Sequence, residues 1–163
     1  MQMFLHFYPA IAAMLSLYCY RRDSPLMQKF YRRMTFSVSA RKLFVLVLLM
    51  LMLLFNFSYL QSYGISWALG IASLLCLSMF SFRMTERSLY WLQQRMSMGF
   101  AMLAMLACVV KPTMWPLAMN LYVFTLGSVF YPSARLIRQL KSPATFSKLC
   151  ANPETLIKGY YSR

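Results

Sequence analysis

An uninterrupted apolar run from Leu43 to Leu60 constrains this chain more than any other feature. Its 18 residues include no charge, proline or glycine, and thirteen of them are Leu, Val or Phe. At that length an apolar run predicts a bilayer-spanning helix rather than the buried helix of a soluble core. The thirteen contribute about −4 to −8 kcal/mol to insertion, which outweighs the polar Asn56 and Ser58 near one end. We therefore expect a membrane helix over 43–60.

The composition of the whole chain agrees with a membrane environment. Of the 163 residues 60% are hydrophobic, whereas soluble domains are about half apolar. Seventeen Lys and Arg stand against three acids, Asp23, Glu86 and Glu154, which gives a net charge of +14. Such a charge is compatible with binding to nucleic acid, to a membrane surface or to an acidic partner. The positions of the cations along the chain distinguish between these possibilities.

Four further apolar segments complete a predicted bundle of about five spans. They cover residues 3–20, 65–82, 92–110 and 115–131. The first segment has no positive charge before its apolar core, so we interpret it as an uncleaved helix rather than a signal peptide. The segment at 92–110 is short for a span, and a four-span alternative would displace it. The sequence thus predicts an all-α, polytopic membrane bundle, with a transmembrane domain over 1–131.

The positions of the positive charges predict the orientation. With the N-terminus outside, the three inner segments collect 16 of the 17 Lys and Arg, and only Lys111 lies outside. Cytoplasmic loops of membrane proteins carry such an excess. This orientation accounts for the net charge without nucleic acid, for which the chain has no dedicated basic domain. We expect an N-out, C-in protein with a basic cytoplasmic tail over 132–163, containing short helices at 132–140, 143–150 and 153–158.

A basic helix is predicted over 25–39, after the first span. Ser24 followed by Pro25 is an N-cap and first-turn signature. Apolar residues fall on one face of this helix, and Lys29, Arg32 and Arg33 fall on the other. That pattern is typical of a helix in the membrane interface, which makes these three cations candidate contacts for anionic lipid headgroups. The alternative is a solvated cytoplasmic helix packed on the bundle.

Small residues recur at helical spacing in the third and fourth spans. Such residues let the backbones of membrane helices approach closely. Asn120, in the fifth span, is a candidate for a hydrogen bond between helices. The candidate helix-packing residues are Ala68, Ala72, Cys76, Ala101, Ala104 and Cys108.

The sequence lacks the residue patterns of most catalytic and metal sites. It contains one His, His6, and no paired carboxylates, HExxH or CxxC motif, or glycine-rich phosphate loop. The four cysteines are scattered singly, which predicts small buried side chains rather than ligands. Glu86 beside Arg87 is interpreted as a solvated loop pair. We expect no catalytic residue, cofactor or bound metal, and hence no enzyme.

Two classes of function remain. The first is a non-catalytic accessory, assembly or interaction partner of another membrane protein or of a second copy. The second is the handling or transport of a lipid or lipid-linked acyl substrate, which the basic helix and the cationic tail facing anionic headgroups suggest. Co-purification distinguishes the two, because a stoichiometric protein partner supports the first and a bound lipid or acyl species supports the second.

One stretch, residues 111–140, carries a family resemblance. Its features are Trp115-Pro116, Asn120, Pro132-Ser133 and the amphipathic run Arg135–Leu140, together with Tyr161-Ser162-Arg163 near the end of the chain. The stretch resembles part of uncharacterised small bacterial inner-membrane proteins found with acyl-carrier and ketosynthase genes of aryl-polyene clusters. The resemblance covers about a fifth of the chain. It implies the bacterial inner membrane and a setting in acyl-lipid metabolism, but no known activity, so no functional residue is carried over.

Overall fold

The computed structural model describes residues 24–140 and 153–161, together with Met14 and Tyr18. Within these ranges every regular element is helical, which confirms the predicted all-α class. Apart from those two residues, the predicted span at 3–20 lies outside the described residues, as does the helix predicted at 143–150. The elements are α1 (Pro25–Phe36), α2 (Val38–Tyr63), α3 (Trp67–Ser78), α4 (Phe82–Leu92), α5 (Arg95–Val109), a 3₁₀ turn (Pro112–Met114), α6 (Trp115–Phe130), α7 (Ala134–Gln139) and α8 (Pro153–Tyr160).

Two serines set the start of α1 and the junction that follows it. Ser24 caps α1 as predicted, since its Oγ accepts a hydrogen bond from the backbone N–H of Met27 at 3.3 Å. The helix does not continue to residue 39, and this part of the prediction is wrong. Ser37 is extended, and its Oγ accepts a hydrogen bond from the N–H of Ala40 at 3.3 Å, so it acts as the N-cap of α2.

The predicted central helix is present and is longer than its apolar run. α2 has 26 residues and is therefore about 39 Å long. Its most apolar 18-residue window has a mean hydropathy of 2.5, and among the described helices it is the one long and apolar enough to cross a bilayer by itself. It continues to Tyr63, beyond the predicted end of the span at residue 60, and is followed by Gly64, whose positive φ of 78° is one that glycine tolerates.

The third apolar segment is bent where the sequence predicts a continuous span over 65–82. α3 ends at Ser78, and α4 begins at Phe82 at an angle of 109° to it. Neither helix is long and apolar enough to cross a bilayer by itself. Taken together they are, which is the pattern of a broken span or a re-entrant loop. The Thr85 hydroxyl holds the corner, since it lies 3.1 Å from the carbonyl oxygens of both Met79 and Ser81. Hydroxyl bonds to backbone carbonyls compete with helix continuation.

Helix α6 is the centre of the bundle and contacts α2, α3, α4 and α5. At its crossing with α2, Gly127 lies directly against Leu48, which is buried. A second contact is polar, because Asn120 Nδ2 donates to Asn56 Oδ1 at 3.0 Å. Asn56 Nδ2 in turn lies 3.6 Å from Cys76 Sγ on α3. The predicted interhelical role of Asn120 is thus confirmed, and one small polar cluster links three helices.

The last helix closes the fold by packing on α1 and α7. α8 continues through Gly159 to Tyr160, two residues beyond the end predicted at 158. Ser133 holds the end of α8 through two hydrogen bonds. The Ser133 Oγ donates to the Gly159 carbonyl at 2.9 Å, and the Ser133 N–H donates to the Tyr160 carbonyl at 3.3 Å.

The close approach of α2 and α6 makes Gly127→Ala destabilising. An added Cβ would overlap Leu48 Cδ1 and lie 3.1 Å from its Cδ2. Overpacking of this kind costs about 1–3 kcal/mol, so the melting temperature of the detergent-solubilised protein should fall. Gly99→Ala is the control, because its Cβ would meet nothing within 4 Å. Equal melting temperatures for the two variants would contradict the close approach.

The Asn56–Asn120 bond predicts coupling between the two side chains. In a double-mutant cycle with Asn56→Leu and Asn120→Leu, the double variant should be more stable than the sum of the single changes by about 0.5–1.7 kcal/mol. The reason is that each single change leaves one buried amide without its partner. Thermal unfolding in one detergent measures the cycle, and strict additivity would show that the bond contributes nothing.

Candidate functional site

A polar junction joins α2, α4 and α6 at one end of the bundle. Its centre is Glu86 Oε1, which accepts hydrogen bonds from three donors. These are the Tyr131 hydroxyl at 2.7 Å, the Tyr90 hydroxyl at 3.1 Å and Arg41 Nη1 at 3.2 Å. One acid of three in the whole chain therefore ties together three helices.

This junction corrects the interpretation of Glu86 and Arg87 as a solvated pair. Glu86 pairs instead with Arg41, and the two side chains are 23% and 11% exposed respectively. Burial, and then the charge and hydrogen bond of Glu86, raise the pKa of the Tyr90 phenol well above its usual range. Tyr90 therefore stays protonated as a donor at physiological pH. The one sequence signal was the i, i+4 spacing of Glu86 and Tyr90.

The same end of the bundle carries two further links to α4. Gln93 Nε2 donates to the carbonyl oxygens of Tyr131 at 2.9 Å and Ser128 at 3.1 Å. Carbonyls in the last turn of a helix have no partner within the helix, so Gln93 acts as a side-chain cap for α6. Lys42 Nζ lies 5.9 Å from the centre of the Phe82 ring, which is a cation–π distance.

An aromatic cluster attaches α8 to α1. Tyr31 is fully buried, and its hydroxyl lies 2.8 Å from that of Tyr161. Its ring centre is 4.7 Å from that of Tyr160, whose hydroxyl donates to the Phe130 carbonyl at 2.6 Å. Burial, and then the neighbouring phenols, raise the pKa of Tyr160. The centre of the apolar face of α1 thus contacts protein, in line with the alternative of a helix packed on the bundle.

An apolar groove opens between α3, α4, α5 and α6. Its volume is about 470 Å³, which lies within the range of about 300–1,000 Å³ usual for ligand sites. Trp91 and Phe100 stand at its rim with more than half of their surface exposed. Four hydroxyl residues, Ser78, Thr85, Ser88 and Ser97, contribute to the lining, which is otherwise apolar. Its larger apolar members include Leu75, Met84, Trp91, Phe100, Leu121 and Phe124.

The sequence-predicted site residues fall into three groups. Lys29, Arg32 and Arg33 all lie exposed on α1. The small residues of α3 are buried inside the bundle, whereas those of α5 are not: Ala101 and Cys108 are half-buried, and Ala104 is exposed in the groove. The buried set is Ala68 (0% exposed), Ala72 (0%) and Cys76 (2%).

The chemistry available at the junction is that of a structural clamp. A carboxylate oxygen that already accepts three hydrogen bonds holds its donors in place. Among the described residues, no three His, Cys, Asp or Glu side chains lie close enough together to hold a metal ion. Comparison of the chain with protein-family models, with curated proteins and with solved structures finds no match.

Removing the charge of Glu86 should destabilise the fold. Glu86→Gln leaves the Arg41 guanidinium, whose side chain is only 11% exposed, without its counter-ion. Breaking a fully buried pair costs about 3–5 kcal/mol, so we expect about 2 kcal/mol for this partly exposed one. The measurement is thermal unfolding in detergent.

Two controls accompany this variant. Arg87→Gln alters the exposed neighbour and should change stability by less than about 0.5 kcal/mol. Arg41→Gln combined with Glu86→Gln removes both charges and should recover part of the loss. A double variant as unstable as the sum of the two single variants would count against an ion pair.

Proposed function

We propose that this chain is a multi-pass protein of the bacterial inner membrane. We assign it about five spans, with the N-terminus outside and the C-terminus inside. We further propose that it acts without catalysis, as an accessory or assembly partner of another membrane protein. The observation that carries the proposal is the outward face of α2, which is as apolar as its inward face.

The outward face of α2 supports a lipid environment. Only 44% of its apolar window is buried inside the chain. The exposed remainder is a continuous stripe of large apolar side chains, and a patch of this size marks contact with a membrane or a partner. Its members are Leu43, Leu46, Val47, Met50, Leu53, Leu54, Phe57 and Leu60.

The distribution of charged and aromatic groups supports the orientation. The polar junction at Glu86 and the end of α6 lie at one end of the bundle, where the exposed Arg83, Arg87 and Arg135 also belong. At the opposite end the Tyr59 hydroxyl donates to the Pro112 carbonyl at 3.2 Å, next to Lys111. Cations at one end and an aromatic group with a single Lys at the other are typical of the cytoplasmic and outer ends of membrane helices.

The accessory role is supported by α5, a helix at the edge of the bundle. Its main neighbour is α6, and Ser97 is the one buried residue among its described side chains. The opposite face of α5 is exposed and apolar, and Gly99 in its middle has open space around it. Such a face, which carries Met96, Leu103, Leu106 and Val110, offers a partner helix close approach.

The groove favours a second candidate function, the handling of a lipid or lipid-linked acyl substrate. Its apolar lining and exposed rim suit an acyl chain, and it opens beside the cationic end of the bundle. A groove of this kind is compatible with the accessory role, because α5 presents its groove side and its outward side to different neighbours.

Reporter fusions test the topology. After Arg163, a reporter that works only in the cytoplasm should be active. At Thr113, a reporter that works only after export should be active. This result is expected because the N-out, C-in orientation places 16 of the 17 Lys and Arg on the cytoplasmic side. A fusion at Arg87 provides a second inner position. The reverse pattern at any of the three positions would overturn the orientation.

Photo-crosslinking in cells tests the accessory role. A photoreactive amino acid in place of Leu103, on the outward face of α5, should give a discrete adduct with another protein. The same amino acid in place of Leu46, on the outward face of α2, should give lipid adducts only. If both positions label lipid alone, no partner helix covers α5 and the accessory role is wrong.

A further inference from the structure

We infer that the groove between α3, α4, α5 and α6 holds one acyl chain of an anionic phospholipid, whose phosphate is bound by Arg87. The inference rests on the proposed placement of the chain in a membrane. It goes beyond that proposal by assigning a site, a ligand class and the residue that recognises the headgroup.

Arg87 lies beside the groove. Met84, Ser88 and Trp91 line the groove from α4. Arg87 lies three residues after Met84 and four before Trp91, and residues at these separations are neighbours on a helix surface. Its side chain is exposed, so the guanidinium can reach the rim while the methylene stem follows the apolar wall.

The rim of the groove carries positive charge. Arg83 lies one helical turn before Arg87 and is also exposed. The neighbouring acid, Glu86, is held by Arg41 on another face of α4, and no other ion pair is found among the described side chains. The rim is therefore cationic and complementary to a phosphate. Guanidinium groups bind phosphate through paired hydrogen bonds.

The lining of the groove suits one acyl chain. The lining is apolar apart from hydroxyl groups, of which that of Ser88 directly follows Arg87 in the sequence. Ser88 lies four residues after Met84 and so on the groove side of α4, where its hydroxyl group can donate to an ester oxygen, and the apolar lining suits the acyl chain. In the proposed orientation the rim faces the cytoplasmic leaflet, which is the leaflet rich in anionic lipid.

The experiment uses the full-length chain in nanodiscs containing trace phosphatidylglycerol with a photoactivatable acyl chain. Labelled peptides are mapped by mass spectrometry, and diacylglycerol with the same photoactivatable chain, which lacks the phosphate, serves as the headgroup control. We expect phosphatidylglycerol to label α4 and α5 around Met84 and Phe100. Labelling by diacylglycerol at these positions should be about tenfold weaker, because it cannot form the charge-assisted hydrogen-bond pair with Arg87.

Three variants separate headgroup recognition from loss of the groove. Arg87→Gln should lower groove labelling by phosphatidylglycerol about tenfold, and Arg87→Lys should retain most of it. Lys111→Gln, which removes an exposed cation at the opposite end of the bundle, is the matched control and should change labelling less than twofold. Ala104→Trp fills the groove and should abolish labelling there by both lipids. Melting temperatures within a few degrees of wild type show that each variant remains folded.

Each contrary outcome has a distinct meaning. Equal groove labelling by the two lipids, or labelling insensitive to Arg87→Gln, would overturn headgroup recognition. Labelling of the α2 face around Leu46 with none in the groove would overturn the site and leave the membrane placement intact. No labelling of either face would overturn both proposals. A protein adduct formed from a photoreactive group at Ala104 would show that a helix, not a lipid, fills the groove.

Discussion

The crossing of α2 and α6 is the contact on which the rest of the structure depends. Gly127 removes the side chain that would otherwise keep the two helices apart, and Leu48 fills the space. Further along the crossing, Asn120 donates a hydrogen bond to Asn56 that would be costly to leave unmade in apolar surroundings. Because α3, α4 and α5 all pack on α6, their positions follow from this pair.

Polar and apolar side chains occupy different places in the described part of the molecule. Its outer surface on α2 and α5 is apolar, whereas hydrogen-bonded polar side chains meet inside or at one end. Glu86 and Gln93 both secure α4 to the end of α6, the first through a phenol and the second through backbone carbonyls. The groove next to them is thus framed by fixed helices, and its cationic rim comes from residues that these contacts leave exposed.

Local signals in the sequence predicted local structure well. The apolar run predicted α2, and the Ser24-Pro25 pair predicted the start of α1. The amide side chain of Asn120 within an apolar segment predicted a hydrogen bond between helices. The bend after Ser78 was not predictable, because hydropathy stays high through Phe80 while the corner depends on a hydroxyl in the next helix. The Arg41–Glu86 pair and the groove were missed for a related reason: they join residues far apart in sequence, and periodicity carries no information about such distances.

The contact between Tyr31 and Tyr161 joins positions separated by 130 residues. During synthesis the N-terminal parts of a chain emerge first, so α1 is made long before the helix that covers its buried tyrosine. Closure of long loops is also slow compared with local helix formation. The bundle around α2 and α6 can therefore assemble while α1 is still uncovered, and docking of α8 on α1 is a late step of folding.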